Sequence, residues 1–127
     1  MLFRSDVAVP VTALAALLEE IRAAISAIAP SAEFVGFGHL AEGNVHVNVL
    51  GAPEAARSAI TERVLDAAIR LGGTVSAEHG IGVAKVDWLE RTKGADHVRA
   101  LRAVKSALDP AGIMNPGVLL PRRVAPA

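Results

Sequence analysis

Six consecutive residues, Asn44 to Val49, alternate strictly. Val45, Val47 and Val49 fall on one side, and Asn44, His46 and Asn48 on the other. A period of two is the signature of an extended strand with one buried face and one open face. It also pins the register, because a shift of one residue would turn all three valines outward. Just upstream, Glu42-Gly43 reads as a two-residue turn, with Glu33 to Leu40 as the strand that enters it. In such a hairpin His39 and His46 stand directly opposed, with β-carbons about 5 Å apart on the face that the valines leave open.

The flanking segments change period. Val7-Ala8-Val9 is a short strand closed by Pro10. Leu14, Leu17, Leu18, Ile21, Ile25 and Ile28 then fall at helical spacing, with Thr12 as the N-cap and Pro30 as the stop. A second helix is expected from Pro53 to about Leu71, with Ala56, Ile60, Val64, Ala67, Ala68 and Leu71 inside and Gly72-Gly73 ending it. Thr74-Val75-Ser76 reads as another strand, and Ala77 to Gly82 as a glycine-rich loop. The last helix is expected from about Ala95 to Leu108, with Val98, Leu101, Val104 and Leu108 facing inward. The Pro/Arg-rich end reads as frayed.

Strand, helix, strand, strand, helix, strand is the split βαβ order of a ferredoxin-like α+β domain, an antiparallel sheet with helices packed on one face. The 127 residues suit a single domain, 1–127.

Charge and composition remove several functions. Thirteen basic residues balance thirteen acidic ones, so nothing draws the chain to nucleic acid or anionic lipid. No run of 18 apolar residues is present, which argues against a membrane span. Met1 to Asp6 lacks the layout of a secretion signal, and the expected compartment is the cytoplasm. The absence of cysteine excludes disulfides, thiolate catalysis and cysteine zinc sites. Exposed sheet edges leave a homo-oligomer open.

What remains is a set of titratable groups. His39 and His46 on one open face can hold a divalent ion, since neutral imidazole suits zinc, manganese or iron. Glu78 would complete a three-ligand site with positions left for substrate, the layout of a catalytic metal. His79, beside it, can accept a proton near neutral pH. Asn48 can hydrogen-bond a substrate hydroxyl or carboxylate. Each of these also has a plain reading as a polar group on a wet face or loop. Arg4 reads as a surface charge, and Lys105 as a solvated one.

Three stretches go further together. Gly38-His39-Leu40-Ala41-Glu42-Gly43-Asn44-Val45-His46-Val47-Asn48, then Gly72 to Gly82 with Glu78-His79 at its centre, then Lys105 to Pro110 and Asn115-Pro116-Gly117, occur in this order. In this the chain resembles the C-terminal (cap, or substrate) region of FAD-linked 2-hydroxy acid oxidases and dehydrogenases. That group includes D-lactate dehydrogenase, D-2-hydroxyglutarate dehydrogenase and the glycolate oxidase flavin subunit, within the vanillyl-alcohol oxidase superfamily. Ala41-Glu42 stands where Gly-Asp is usual, and Val118 where a basic residue is common. The resemblance implies a divalent metal, zinc, on His39, His46 and Glu78, and substrate contact by Asn48. It implies a base at His79, a substrate carboxylate near Arg4 and a flavin approached by Asn115. It also implies FAD held by a domain or subunit that nothing in these 127 residues matches. The alternative is a stand-alone ferredoxin-like module with a binding, regulatory or assembly role.

Overall fold

Three strands pair into one antiparallel sheet in the computed structural model, which describes residues 2–121. The end read as frayed lies from residue 122 on, outside the described residues. Two compact units divide the chain, Met1–Glu78 and His79–Ala127.

The first unit contains strand β1 (Leu2–Ala8), helix α1 (Leu14–Ile28), strands β2 (Glu33–Phe37) and β3 (Asn44–Leu50), and helix α2 (Arg57–Arg70). The sheet order is β1-β3-β2, so the strictly alternating segment is the central strand. Its three valines are buried, as their period requires. From the helices, Leu14, Leu17, Ile21 and Ile25 of α1 and Ile60, Val64, Ala67 and Ala68 of α2 are buried as well. Each large apolar side chain so buried contributes about 1.5–3 kcal/mol. The fold is therefore the expected α+β, and the opposite face of the sheet carries Arg4, Asp6, His46 and Asn48 beside the exposed Val35, Phe37 and Leu50.

Four local readings change. The strand expected at Thr74-Val75-Ser76 shrinks to a single bridge between Ala8 and Thr74, on the edge of β1 away from β3. That is where the fourth strand of a split βαβ sheet would lie. β1 itself is longer than Val7-Ala8-Val9 and begins at Leu2. Thr12 caps nothing: a 3-10 turn over Val11–Ala13 leads into α1, with the Ala13 N–H donating to the Pro10 carbonyl at 2.8 Å. The hairpin turn differs too, as described with the site below.

The second unit is helical. Two short helices, α3 (Gly82–Lys85) and α4 (Leu89–Lys93), lie between the glycine-rich loop and the last helix, where the sequence suggests no element, and α5 (Ala95–Leu108) has the expected bounds. Leu89, Val98 and Leu120 are buried together, with Ile81 and Leu101 packed against them. Val104 and Leu108, expected inside, are 57% and 77% exposed. The stripe on α5 is longer than the surface that covers it.

Past α5 the chain is tied by a polar knot. The Asp109 carboxylate accepts the Ile113 and Met114 N–H groups at 3.1 and 3.0 Å. Lys105, read from sequence as a solvated charge, donates to Asp109 and, at 2.6 Å, to the Met114 carbonyl. The two side chains are four residues apart, a spacing that puts them on one side of the helix. The Lys105 ammonium, more than the two backbone donors, holds the Asp109 carboxyl below its ordinary range against the opposing effect of burial.

Candidate metal centre

The hairpin decides where the first two candidate ligands lie. Instead of a two-residue turn at Glu42-Gly43, a four-residue connection follows His39: a 3-10 turn over Leu40–Glu42, then Gly43. His39 exchanges both backbone hydrogen bonds with Asn44, at 3.1 and 3.2 Å, and the residue across from His46 is Phe37. The expected direct opposition of His39 and His46 is thus corrected to a diagonal one. The offset is two residues, so both side chains keep the same face, and diagonal neighbours remain within reach of long side chains. Their rings sit edge to face with centroids 5.9 Å apart, and Phe37 lies against His46 at 5.2 Å.

Two glycines fix this loop and the next one to the end of β1. Gly43 has φ of +67°, and a β-carbon there would come within 1.8 Å of the Val9 carbonyl oxygen. A β-carbon on Gly73 would come within 2.1 Å of the Ala8 carbonyl oxygen. Only a residue without a side chain allows such approach. Val9 then donates to Gly43, and Ala8 and Thr74 exchange hydrogen bonds. The loop carrying His39 and the segment carrying Glu78 are both moored to the same strand end.

Glu78 reaches both imidazoles. Its Oε1 is 3.1 Å from His46 Nε2, and its Oε2 is 4.0 Å from His39 Nε2. Ligand-capable atoms of His39, His46 and Glu78 all lie within 4.8 Å of one another. The donor set of two nitrogens and a carboxylate suits a divalent ion, and each carboxylate oxygen faces a different ring. Among the described residues, these three form the one cluster of this kind. His46 is largely enclosed, while His39 and Glu78 are more open to solvent.

Arg4 and Asn48 are register partners on β1 and β3, and by strand alternation share the face of His46. Arg4 is exposed, and the Asn48 amide nitrogen lies a long 3.4 Å from the Val35 carbonyl and 3.5 Å from that of His46. His79, directly after Glu78 in the chain, opens the second unit and is exposed. Asn115 belongs to that unit also, just past the Asp109 knot, and takes a positive φ of 45°.

Sequence reading passes over one residue. Asp6 is directly across from His46 on β1, is only 8% exposed, and its Oδ2 accepts the Ala77 N–H at 2.9 Å. The alternation of β3 could have drawn attention to whatever pairs with His46. The long-range backbone partner of Asp6 leaves no trace in the sequence.

The family model for FAD linked oxidases, C-terminal domain, matches residues 1–119. A D-2-hydroxyglutarate dehydrogenase of Xanthomonas citri pv. viticola is 36% identical over 98% of this chain and 28% of its own length. One of Stutzerimonas stutzeri is 36% identical over 91% of this chain and 26% of its own. The mitochondrial D-2-hydroxyglutarate dehydrogenase of Bos taurus is 36% identical over 94% of this chain and 22% of its own. The chain thus spans about a quarter of the length of the curated relatives it matches. No helix of the described residues is long and apolar enough to cross a membrane.

Proposed function

The chain belongs to the family of FAD-linked oxidase C-terminal domains, and from that premise we propose that it is the metal- and substrate-binding part of an FAD-dependent oxidoreductase. The reaction is oxidation of a 2-hydroxy acid to the 2-oxo acid. Of the D-lactate, glycolate and D-2-hydroxyglutarate classes, the last is the one named in the relatives. The observation that carries this reading is the convergence of His39, His46 and Glu78.

His39, His46 and Glu78 would hold the divalent ion, zinc by the family resemblance, on a donor set that also suits manganese or iron. When bound, that ion supplies a Lewis acid for the substrate oxygens. FAD, bound by a partner domain or subunit, supplies the acceptor for the hydride from C2. Arg4 attracts a substrate carboxylate across the open face of the sheet, and Asn48 offers its amide to a substrate oxygen. His79 takes the hydroxyl proton on an imidazole nitrogen, the general-base role that histidine side chains commonly fill. Asn115 is the contact toward the flavin. Proton and hydride leave the same carbinol, one from oxygen and one from carbon, which balances the oxidation.

The test is elemental analysis of purified protein with thermal shift. About one equivalent of divalent metal is expected, with most of it lost in His39→Ala and His46→Ala. Added D-2-hydroxyglutarate is expected to raise the melting temperature only in the metal-loaded protein. Metal content unchanged by both substitutions would overturn the assignment. Stabilisation by the acid without metal would favour a binding module instead.

A further inference from the structure

We propose that Asp6 is a positioning residue for the candidate metal centre: it holds the segment that carries Glu78 in place over β3. The inference rests on the metal reading for its consequence, but its geometry stands independently of it.

The segment after Thr74 forms no regular strand. One bridge joins it to Ala8, and a regular strand would continue that pairing along β1. Instead, the next described anchor on β1 is the Asp6 side chain, whose Oδ2 accepts the Ala77 N–H at 2.9 Å. A carboxylate takes the place of a backbone carbonyl. Bonds of this charged kind are roughly twice as strong as neutral ones. Between the two anchors the chain is turned by Thr74, whose hydroxyl lies 3.4 Å from both the Ser76 N–H and the Ser76 carbonyl.

Asp6 is also placed to act on this site in particular. It is the register partner of His46, and so shares its face of the sheet. The residue after Ala77 is Glu78, whose Oε1 lies 3.1 Å from His46 Nε2. One strand pair therefore presents His46 from β3 and, from β1, the group that fastens the Glu78 segment beside it. A charged residue only 8% exposed is costly to bury unless its oxygens are engaged. The Ala77 N–H supplies part of that engagement. Partners that orient metal ligands typically change affinity 10–100-fold when lost.

The experiment compares the 127-residue protein with Asp6→Ala and Asp6→Asn. Asparagine keeps an acceptor oxygen in nearly the same shape, whereas alanine keeps none. Amide hydrogen exchange on metal-free protein is read first. Protection of Ala77 is expected to fall about tenfold or more in Asp6→Ala and to be largely restored in Asp6→Asn, with α1 and α2 amides unchanged. Competition titration with zinc is read second. Affinity is expected to fall about 10–100-fold in Asp6→Ala and within about threefold of the parent in Asp6→Asn. Unchanged Ala77 protection in Asp6→Ala would overturn the proposal, as would unchanged zinc affinity. Loss of helix protection in Asp6→Ala with no recovery in Asp6→Asn would also overturn it, showing a general structural role. Parent protein that binds no zinc would sink the metal reading alone, because the exchange result tests the mooring without metal.

Discussion

The two units of this chain are held by different means. Met1–Glu78 has an apolar core in which the valines of β3 and most of the stripes of α1 and α2 are buried, with Leu18, Ile28, Ala56 and Leu71 half-buried at its margin. Among the described residues of His79–Ala127, three buried apolar residues and a charged knot at Asp109 carry the load, while Val104, Leu108, Ile113 and Met114 stay exposed. All three candidate metal ligands belong to the unit with the core. A metal centre needs ligands held to within about half an ångström, which rigid sheet positions supply better than loops. His46 has such a position. Glu78 does not, and depends on the moorings at Ala8 and Asp6.

The comparison breaks most visibly if the core of the first unit is thinned. Leu17 is completely buried on α1. Leu17→Ala is expected to cost about 2–5 kcal/mol, read by urea unfolding with far-ultraviolet circular dichroism. A cost below about 1 kcal/mol would mean that the enclosure does not determine the stability of this unit.

How much of this could be read in advance follows the same division. Periodicity reports the burial of side chains, so β3, α1, α2 and the bounds of α5 were legible. It reports less well where burial stops: the spacing of Val104 and Leu108 is right for a buried face, yet nothing covers them. Turns depend on hydrogen bonds that spacing does not encode. The pair Glu42-Gly43 suggested a tight turn, but the chain spends Leu40–Glu42 on a 3-10 turn and leaves His39 paired with Asn44. His39 and His46 still share a face because a two-residue offset preserves it. Asp6 was illegible for another reason. Its partner is a backbone N–H 71 residues away, and backbone groups have no sequence.

A smaller effect is expected in the second unit, and it depends on pH. The folded pKa of Asp109 is depressed, so its charged form contributes stability that is present above the ordinary carboxylate value of about 3.9. That contribution is lost as pH falls through the folded value. Asp109→Asn is therefore expected to be less stable than the parent at neutral pH and to converge with it in acid, with weaker protection of the Ile113 and Met114 amides. Equal stability of the two proteins at all pH values would show that the knot is incidental.

The smallest effect sharpens the contrast from the other side. Leu108 falls at core spacing on α5 but is 77% exposed. Removing an exposed side chain forfeits little transfer free energy and opens no cavity, so Leu108→Ala is expected to change stability by no more than about 0.5 kcal/mol. Alanine's higher helix propensity is worth only tenths of a kcal/mol beside leucine's. Measured next to Leu17→Ala in the same urea titration, the two leucines should differ several-fold in effect although their helical spacing reads alike. A loss of 2 kcal/mol or more at Leu108 would mean that α5 is covered in solution, and that the second unit has a larger apolar core than Leu89, Val98 and Leu120 provide.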